Sequence, residues 1–214
     1  MYVVIIGCGR VGSELANLLQ AEGNNVVVVD RDPLSFRRLG ANFNGITLAG
    51  NGFDLDVLVE AGIERAQAFC AVTNGDNTNI MAARIARTIY RVPTVLARVY
   101  DPVRAAIFRS DDLQIISGTV LFAAMLRDKI VDPRFTGFLI ETGELGVLEI
   151  PPSSSRTGRK VGEFGVPGEI LVATVIRRGE AVIPGPETVL EEGDKLMAVV
   201  KTKALSSVKK RFDL

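Results

Sequence analysis

The string Gly7-Cys8-Gly9-Arg10-Val11-Gly12 follows directly on the apolar run Tyr2 to Ile6 and opens an amphipathic stretch reaching Glu22. Strand, glycine-rich turn and helix in that order begin a dinucleotide-binding fold. The first glycine permits the tight turn, the second lets phosphate approach the backbone, and the third lets helix and strand pack closely. Asp30 ends the next apolar run, 18 residues past Gly12. A carboxylate there accepts hydrogen bonds from ribose hydroxyls and disfavours a 2′-phosphate. A chain with 21 glycines produces such strings by chance, so the flanking strand, helix and Asp30 carry the inference.

The same rhythm continues to about residue 116. Strands are predicted at Tyr2 to Ile6, Val26 to Asp30, Ile46 to Ala49, Ala68 to Thr73, Thr94 to Arg98 and Gln114 to Ile116. Helices are predicted near Gly12 to Glu22, Pro33 to Asn42, Asp54 to Ala61, Asn77 to Tyr90 and Pro102 to Ser110. With right-handed crossovers this pattern predicts an α/β fold, a doubly wound parallel-sheet Rossmann domain in strand order 3-2-1-4-5-6, with its switch point between the first and fourth strands. Thr119 to Val131 reads as a crossover helix stopped by Asp132-Pro133. Beyond it, Gly146 to Ile150, Ile170 to Arg177 and Lys195 to Val200 alternate as half-buried strands without intervening helices. The expected division is a nucleotide-binding domain over residues 1–134, crossover helix included, and a small C-terminal α+β domain over residues 135–214.

At the glycine turn, Arg10 would add a bidentate phosphate contact beside the backbone cradle and favours the extra phosphate charge of ATP; the plainer reading is a solvated arginine on a surface helix. Cys8 reads as a small packing residue. Gly50-Asn51-Gly52 ends the third strand, and Thr73-Asn74-Gly75-Asp76-Asn77-Thr78-Asn79 ends the fourth. The asparagines there, Asn51, Asn74, Asn77 and Asn79, are candidates to read the adenine edge or the ribose, although each is equally a turn former or helix cap. Arg98 closes an apolar fifth strand, where a charge needs a phosphate, a carboxylate or a second subunit as partner.

Charge narrows the partners. Twenty-five basic residues balance 25 acidic ones, so no net field draws the chain to nucleic acid. The chain has no histidine, the commonest general base and metal ligand, and its two cysteines make neither a disulfide framework nor a zinc site. No metal site is expected. No apolar run approaches the roughly 18 residues of a membrane span, so a cytoplasmic location is expected.

The glycine turn, Asp30-Arg31-Asp32, Gly50-Asn51-Gly52, Leu58 to Ile63 and Ala71 to Asn74 together resemble the RCK (regulator of potassium conductance) proteins of the TrkA and KtrA type. The resemblance extends through Gly158 to Glu163, Val172 to Arg177, Ile183-Pro184 and Thr188 to Asp194, which look like that family's C-terminal regulatory module. It implies a non-enzymatic cytoplasmic regulatory subunit, peripheral at the inner face of the membrane. Such a subunit assembles as a homo-oligomer, a dimer built into an octameric ring, beneath a membrane potassium channel or transporter. The implied ligands are ATP and ADP in the KtrA type, and NAD(H) as well as ATP in the TrkA type. The resemblance puts Arg10 on the terminal phosphate of ATP, Asp30 on ribose, Asn51 and Gly52 near adenine, and Thr73 and Asn74 near ribose and phosphate. With the residue readings above, the expected nucleotide contacts are Gly7, Gly9, Arg10, Val11, Gly12, Asp30, Arg31, Asn51, Gly52, Thr73, Asn74, Asn77 and Arg98. Two departures stand out: Asn51 replaces a frequent aspartate, and Ser117-Gly118-Thr119 replaces a Pro-Glu pair that serves a cation site in KtrA-type members.

Two other classes compete. An NAD-dependent dehydrogenase would share the fold but lacks histidine and an evident set of catalytic acids. A redox-sensing transcriptional regulator conflicts with the balanced charge and the absence of a helix-turn-helix pattern.

Overall fold

Tyr2–Ile6 (β1) and Asn25–Asp30 (β2) are nearly all β-branched, and Val3, Val4, Ile5 and Ile6 are buried together with Val26, Val27, Val28 and Val29. Runs apolar on both faces are what strands inside a two-sided parallel sheet require. The computed structural model describes residues 1–108, 113–136 and 144–214. The remaining strands of this sheet are Ile46–Ala49 (β3), Ala68–Ala71 (β4), Thr94–Arg98 (β5) and Gln114–Ile116 (β6). They are parallel throughout, in the order β3-β2-β1-β4-β5-β6. The doubly wound order expected from the sequence is therefore present, with β1 and β4 adjacent at the switch point.

Alternate side chains along β1 and β2 feed two separate cores. Val3, Ile5, Val26 and Val28 pack with Cys8, Ala16 and Leu39, on the side of helix Arg10–Ala21 (α1). Val4, Ile6, Val27 and Val29 pack with Leu58 of helix Leu55–Glu60 (α2), with Ile80 and Ala83 of helix Asp76–Arg84 (α3), and with Ala105 of helix Pro102–Phe108 (α4). The expected end of this last helix, Ser110, lies outside the described residues.

Local differences from the expected elements have local causes. Pro33–Leu39 winds as a 3-10 helix: the Asp32 carboxylate accepts from Leu34 N at 3.0 Å, and Gly40 stops the winding with φ 76°. The fourth strand ends at Ala71 rather than Thr73, because Thr73 turns its amide to a side chain of α3. The expected helix Asn77 to Tyr90 is α3 followed by a π turn over Ile85–Ile89.

The chain divides into two compact units, Met1–Val120 and Leu121–Leu214, with the division inside helix Gly118–Val131 (α5). The second unit holds an antiparallel sheet of Phe135–Thr136 (β7), Leu145–Ile150 (β8), Ile170–Arg177 (β9), Glu180–Val182 (β10) and Lys195–Lys201 (β11), ordered β10-β9-β11-β8-β7. Helix Leu205–Arg211 (α6) follows, and Val208 joins Leu148, Ile150, Val175, Leu196 and Phe212 in the core of this unit. Asp194 is 2% exposed and takes two hydrogen bonds from Arg177, at 3.0 and 2.7 Å. Asp132 is 3% exposed and pairs with Lys209 at 2.6 Å and Arg134 at 3.2 Å. The small C-terminal α+β fold is thus present. Among the described residues, no helix is long and apolar enough to cross a membrane.

Candidate functional site

The candidate site lies where β1 ends and α1 begins. Gly7 has φ 102°, and a Cβ placed on it would lie 2.9 Å from the backbone nitrogen of Thr73, so neither the turn nor the approach of the β4 end admits a side chain. At Gly12 a Cβ would fall 1.8 Å from the Gly7 carbonyl oxygen, which closes the first turn of α1 tightly over the glycine loop. Gly9 differs: it is exposed, and a Cβ there would meet nothing within 4 Å. It is also the N-cap of α1, and no side chain caps the helix. The first-turn amides of α1, which include Arg10, Val11 and Gly12, thus have no side-chain cap and lie at the positive end of the helix dipole, the usual place for a bound phosphate.

Asp30 stands across this turn. Its carboxylate accepts from Cys8 N at 2.6 Å and from Asp32 N at 2.9 Å, one bond on each oxygen, so it braces the glycine loop while each oxygen keeps further acceptor capacity. The helix cap that follows is Asp32. Cys8 itself is wholly buried and its thiol donates to the Ser35 carbonyl at 3.5 Å. Burial pushes that thiol's pKa up, which suits a packing residue.

Arg10, at the start of α1, and Arg31, Asn51 and Asn74, which follow β2, β3 and β4, are exposed. Gly52 is buried, and a Cβ on it would sit 1.8 Å from Ile6 Cγ2, so this loop folds directly onto the end of β1. Asn77 and Arg98 also meet protein partners. Asn77 accepts from the Arg104 guanidinium. The Arg98 guanidinium lies 3.9 Å from the centre of the Tyr100 ring, a cation–π partner of a kind outside those expected for it.

Two residues of the Thr73 to Asn79 loop have roles that the sequence does not announce. Asn79 is fully buried, and its carboxamide oxygen accepts from Thr73 N at 2.8 Å and Thr73 Oγ1 at 2.7 Å. Its amide donates to the Thr73 carbonyl at 3.1 Å and the Arg98 carbonyl at 2.9 Å. The Asp76 carboxylate accepts from Tyr100 N at 2.8 Å and Asp101 N at 3.1 Å. The role of Asn79 could have been read from its position: it lies four residues before Ala83 on the buried stripe of α3, where a polar side chain must be bonded internally.

A separate cavity of about 610 Å³ lies in the C-terminal unit, walled mainly by Val161, Val166, Ile170, Leu171, Pro184 and Pro186. Among the described residues, no group of three or more acidic, cysteine or histidine side chains could hold a metal ion.

Comparison with known proteins agrees with this architecture. The family model described as the TrkA-N domain matches residues 3–117, and that of the TrkA-C domain matches residues 146–213. The Trk system potassium uptake protein TrkA of Streptomyces coelicolor is 44% identical over 214 residues, covering 99% of this chain and 96% of that protein. The GsuK channel bound to NAD is similar in fold, with a TM-score of 0.55 at 22% identity, over 99% of this chain and 38% of the channel chain. GsuK bound to ADP matches with a TM-score of 0.52 at 23% identity, over 60% of this chain and 33% of that one. On the two domain matches and the 44% identity, the chain belongs to the TrkA family.

Proposed function

We propose that this chain is a cytoplasmic, nucleotide-sensing regulatory subunit of a membrane potassium channel or transporter, and that it acts by conformational change rather than by catalysis. The observation that carries the reading is the uncapped start of α1 with Gly9 open beside it, set at the switch point of the parallel sheet. Phosphate would lie on the amides of Arg10, Val11 and Gly12, with the Arg10 guanidinium on the terminal phosphate. Ribose would meet Asp30, Asn51 and Gly52 would lie near adenine, and Thr73 and Asn74 near ribose and phosphate. Arg31, Asn77 and Arg98 would border the site.

The donor set fits an adenine nucleotide: ATP or ADP, and NAD(H). GsuK, which shares the fold, has been solved with NAD and with ADP. The partner is inferred from the relative in Streptomyces coelicolor, which is named for potassium uptake. Homo-oligomerisation is supported by Leu121, Phe122, Leu126 and Ile130 of α5, which are 42%, 62%, 50% and 82% exposed and would be covered by a second copy. Within this reading, residues 1–134 hold the nucleotide and residues 135–214 form the regulatory domain. A nucleotide that binds one conformation of the assembly better than another shifts the population, and the difference in affinity sets how strongly the partner responds.

The test is potassium uptake in cells lacking their own regulatory subunit but expressing this chain with its transporter. Uptake that depends on the chain and changes with nucleotide supports the proposal. Uptake indifferent to the chain overturns it.

A further inference from the structure

Asp76 and Asn79 lie outside the set of groups assigned to nucleotide, yet they connect that site to a second corner of the sheet. Thr73, two residues past the end of β4, is held by Asn79 through its amide, its hydroxyl and its carbonyl. The same carboxamide holds the carbonyl of Arg98, at the end of β5. Three residues earlier, Asp76 holds the amides of Tyr100 and Asp101. The Asp101 carboxylate in turn caps α4, accepting from Val103 N at 2.8 Å and Arg104 N at 3.2 Å. Arg104 reaches back to Asn77. The first turn of α3 thus carries two sets of polar contacts, one from Asn79 to Thr73 and the end of β5, the other from Asp76 to the residues that lead into α4.

The burial of Asn79 gives the first set its stiffness. Its side chain has no access to water, so a shift of Thr73 must either break bonds that water cannot replace or move the Arg98 carbonyl with it. At the far end α4 presents Val103, 70% exposed, on the surface. We propose that Asp76 and Asn79 are positioning residues that relay nucleotide occupancy at Thr73 and Asn74 to the β5–α4 corner, and so set the position of α4. This rests on the nucleotide-binding reading above.

Hydrogen exchange on the full chain, with and without saturating ATP and in parallel with NADH, tests the relay. Calorimetry on the same samples establishes binding. Nucleotide is expected to slow exchange at Arg10 to Gly12, and also at Tyr100, Asp101, Val103 and Arg104 by about fivefold or more. Asp76→Ala is expected to bind ATP within about threefold of the parent and to keep the response at Arg10 to Gly12, but to lose it at residues 100–104. If this variant does not fold, Asp76→Asn, which retains one acceptor, is read the same way: a reduced response at residues 100–104 supports the relay and an undiminished one overturns it. A full response at residues 100–104 in Asp76→Ala overturns the relay, as does loss of ATP binding in that variant. Nucleotide binding with no response at the corner in the parent chain overturns the relay alone. Failure of ATP, ADP and NADH to bind the parent chain overturns the nucleotide reading and the relay with it.

Discussion

The backbone amide of Cys8 donates to the Asp30 carboxylate at 2.6 Å, so the end of β2 grips the glycine turn from inside. Asp30 therefore holds the shape of the loop whether or not ribose is present. Asp30→Ala would leave a partly buried amide unpaired, at a cost of about 1–3 kcal/mol. The expected result is a fall in thermal midpoint of about 2–12 °C for a chain of this size. Asp30→Asn keeps an acceptor for Cys8 but loses the charge. It should fall by less in melting temperature while still losing nucleotide affinity. Equal melting temperatures for parent and alanine variant would contradict the bracing role.

The C-terminal unit should be acid-sensitive. Hydrogen bonds from Arg177 hold the Asp194 carboxyl below the usual carboxylate range, against the opposing effect of burial. At Asp132 burial pushes upward but is outweighed by hydrogen bonds from Lys209 and Arg134, and the group is also held low. A carboxyl with a folded pKa below its unfolded one contributes its full stability above about pH 4 and loses it as pH falls through the folded value. Urea unfolding followed from neutral pH to about pH 2.5 should show stability declining below pH 4. Asp194→Asn should be less stable at neutral pH by about 1–3 kcal/mol, a figure reduced from that of a fully buried pair because Arg177 is 27% exposed. Its acid decline should also be shallower, and an unchanged slope would contradict the pairing.

Neither thiol should respond to oxidants. Burial pushes Cys70 up to about 11, and Cys8 is raised by the same cause. Because the thiolate is the reactive form, maleimide labelling at about pH 7.5 should be at least about tenfold slower in the folded chain than in denaturant. Rapid labelling of the native protein would revive a redox-sensing role.

Much of the architecture could be read in the sequence because it depends on long apolar runs. β1 and β2 are buried on both faces, so their valines and isoleucines announce a parallel sheet without reference to other strands. Pro33–Leu39 was harder, since a proline start and two arginines suit an α-helix and a 3-10 helix equally, and only Ser35 and Leu39 are buried to decide between them. At the site, the glycines were legible through spacing, whereas the roles of Asn79 and Asp76 were not, because an asparagine or aspartate near a helix start usually satisfies its own turn. Here both reach 19 to 25 residues along the chain, to partners that only the folded sheet brings near. Arg98 shows the same limit: a strand-end arginine signals the need for a partner, but the Tyr100 ring two residues on becomes that partner only through the local fold.

Calorimetric titration of the parent chain and Arg10→Ala with ATP and with ADP tests the central claim most directly. Loss of charge-assisted hydrogen bonds to a terminal phosphate is worth about 1.5–3 kcal/mol, so ATP affinity should fall about 10- to 150-fold in the variant. ADP affinity should fall by clearly less. No binding by the parent chain, or equal losses for ATP and ADP, would contradict an Arg10-read nucleotide site at the glycine turn.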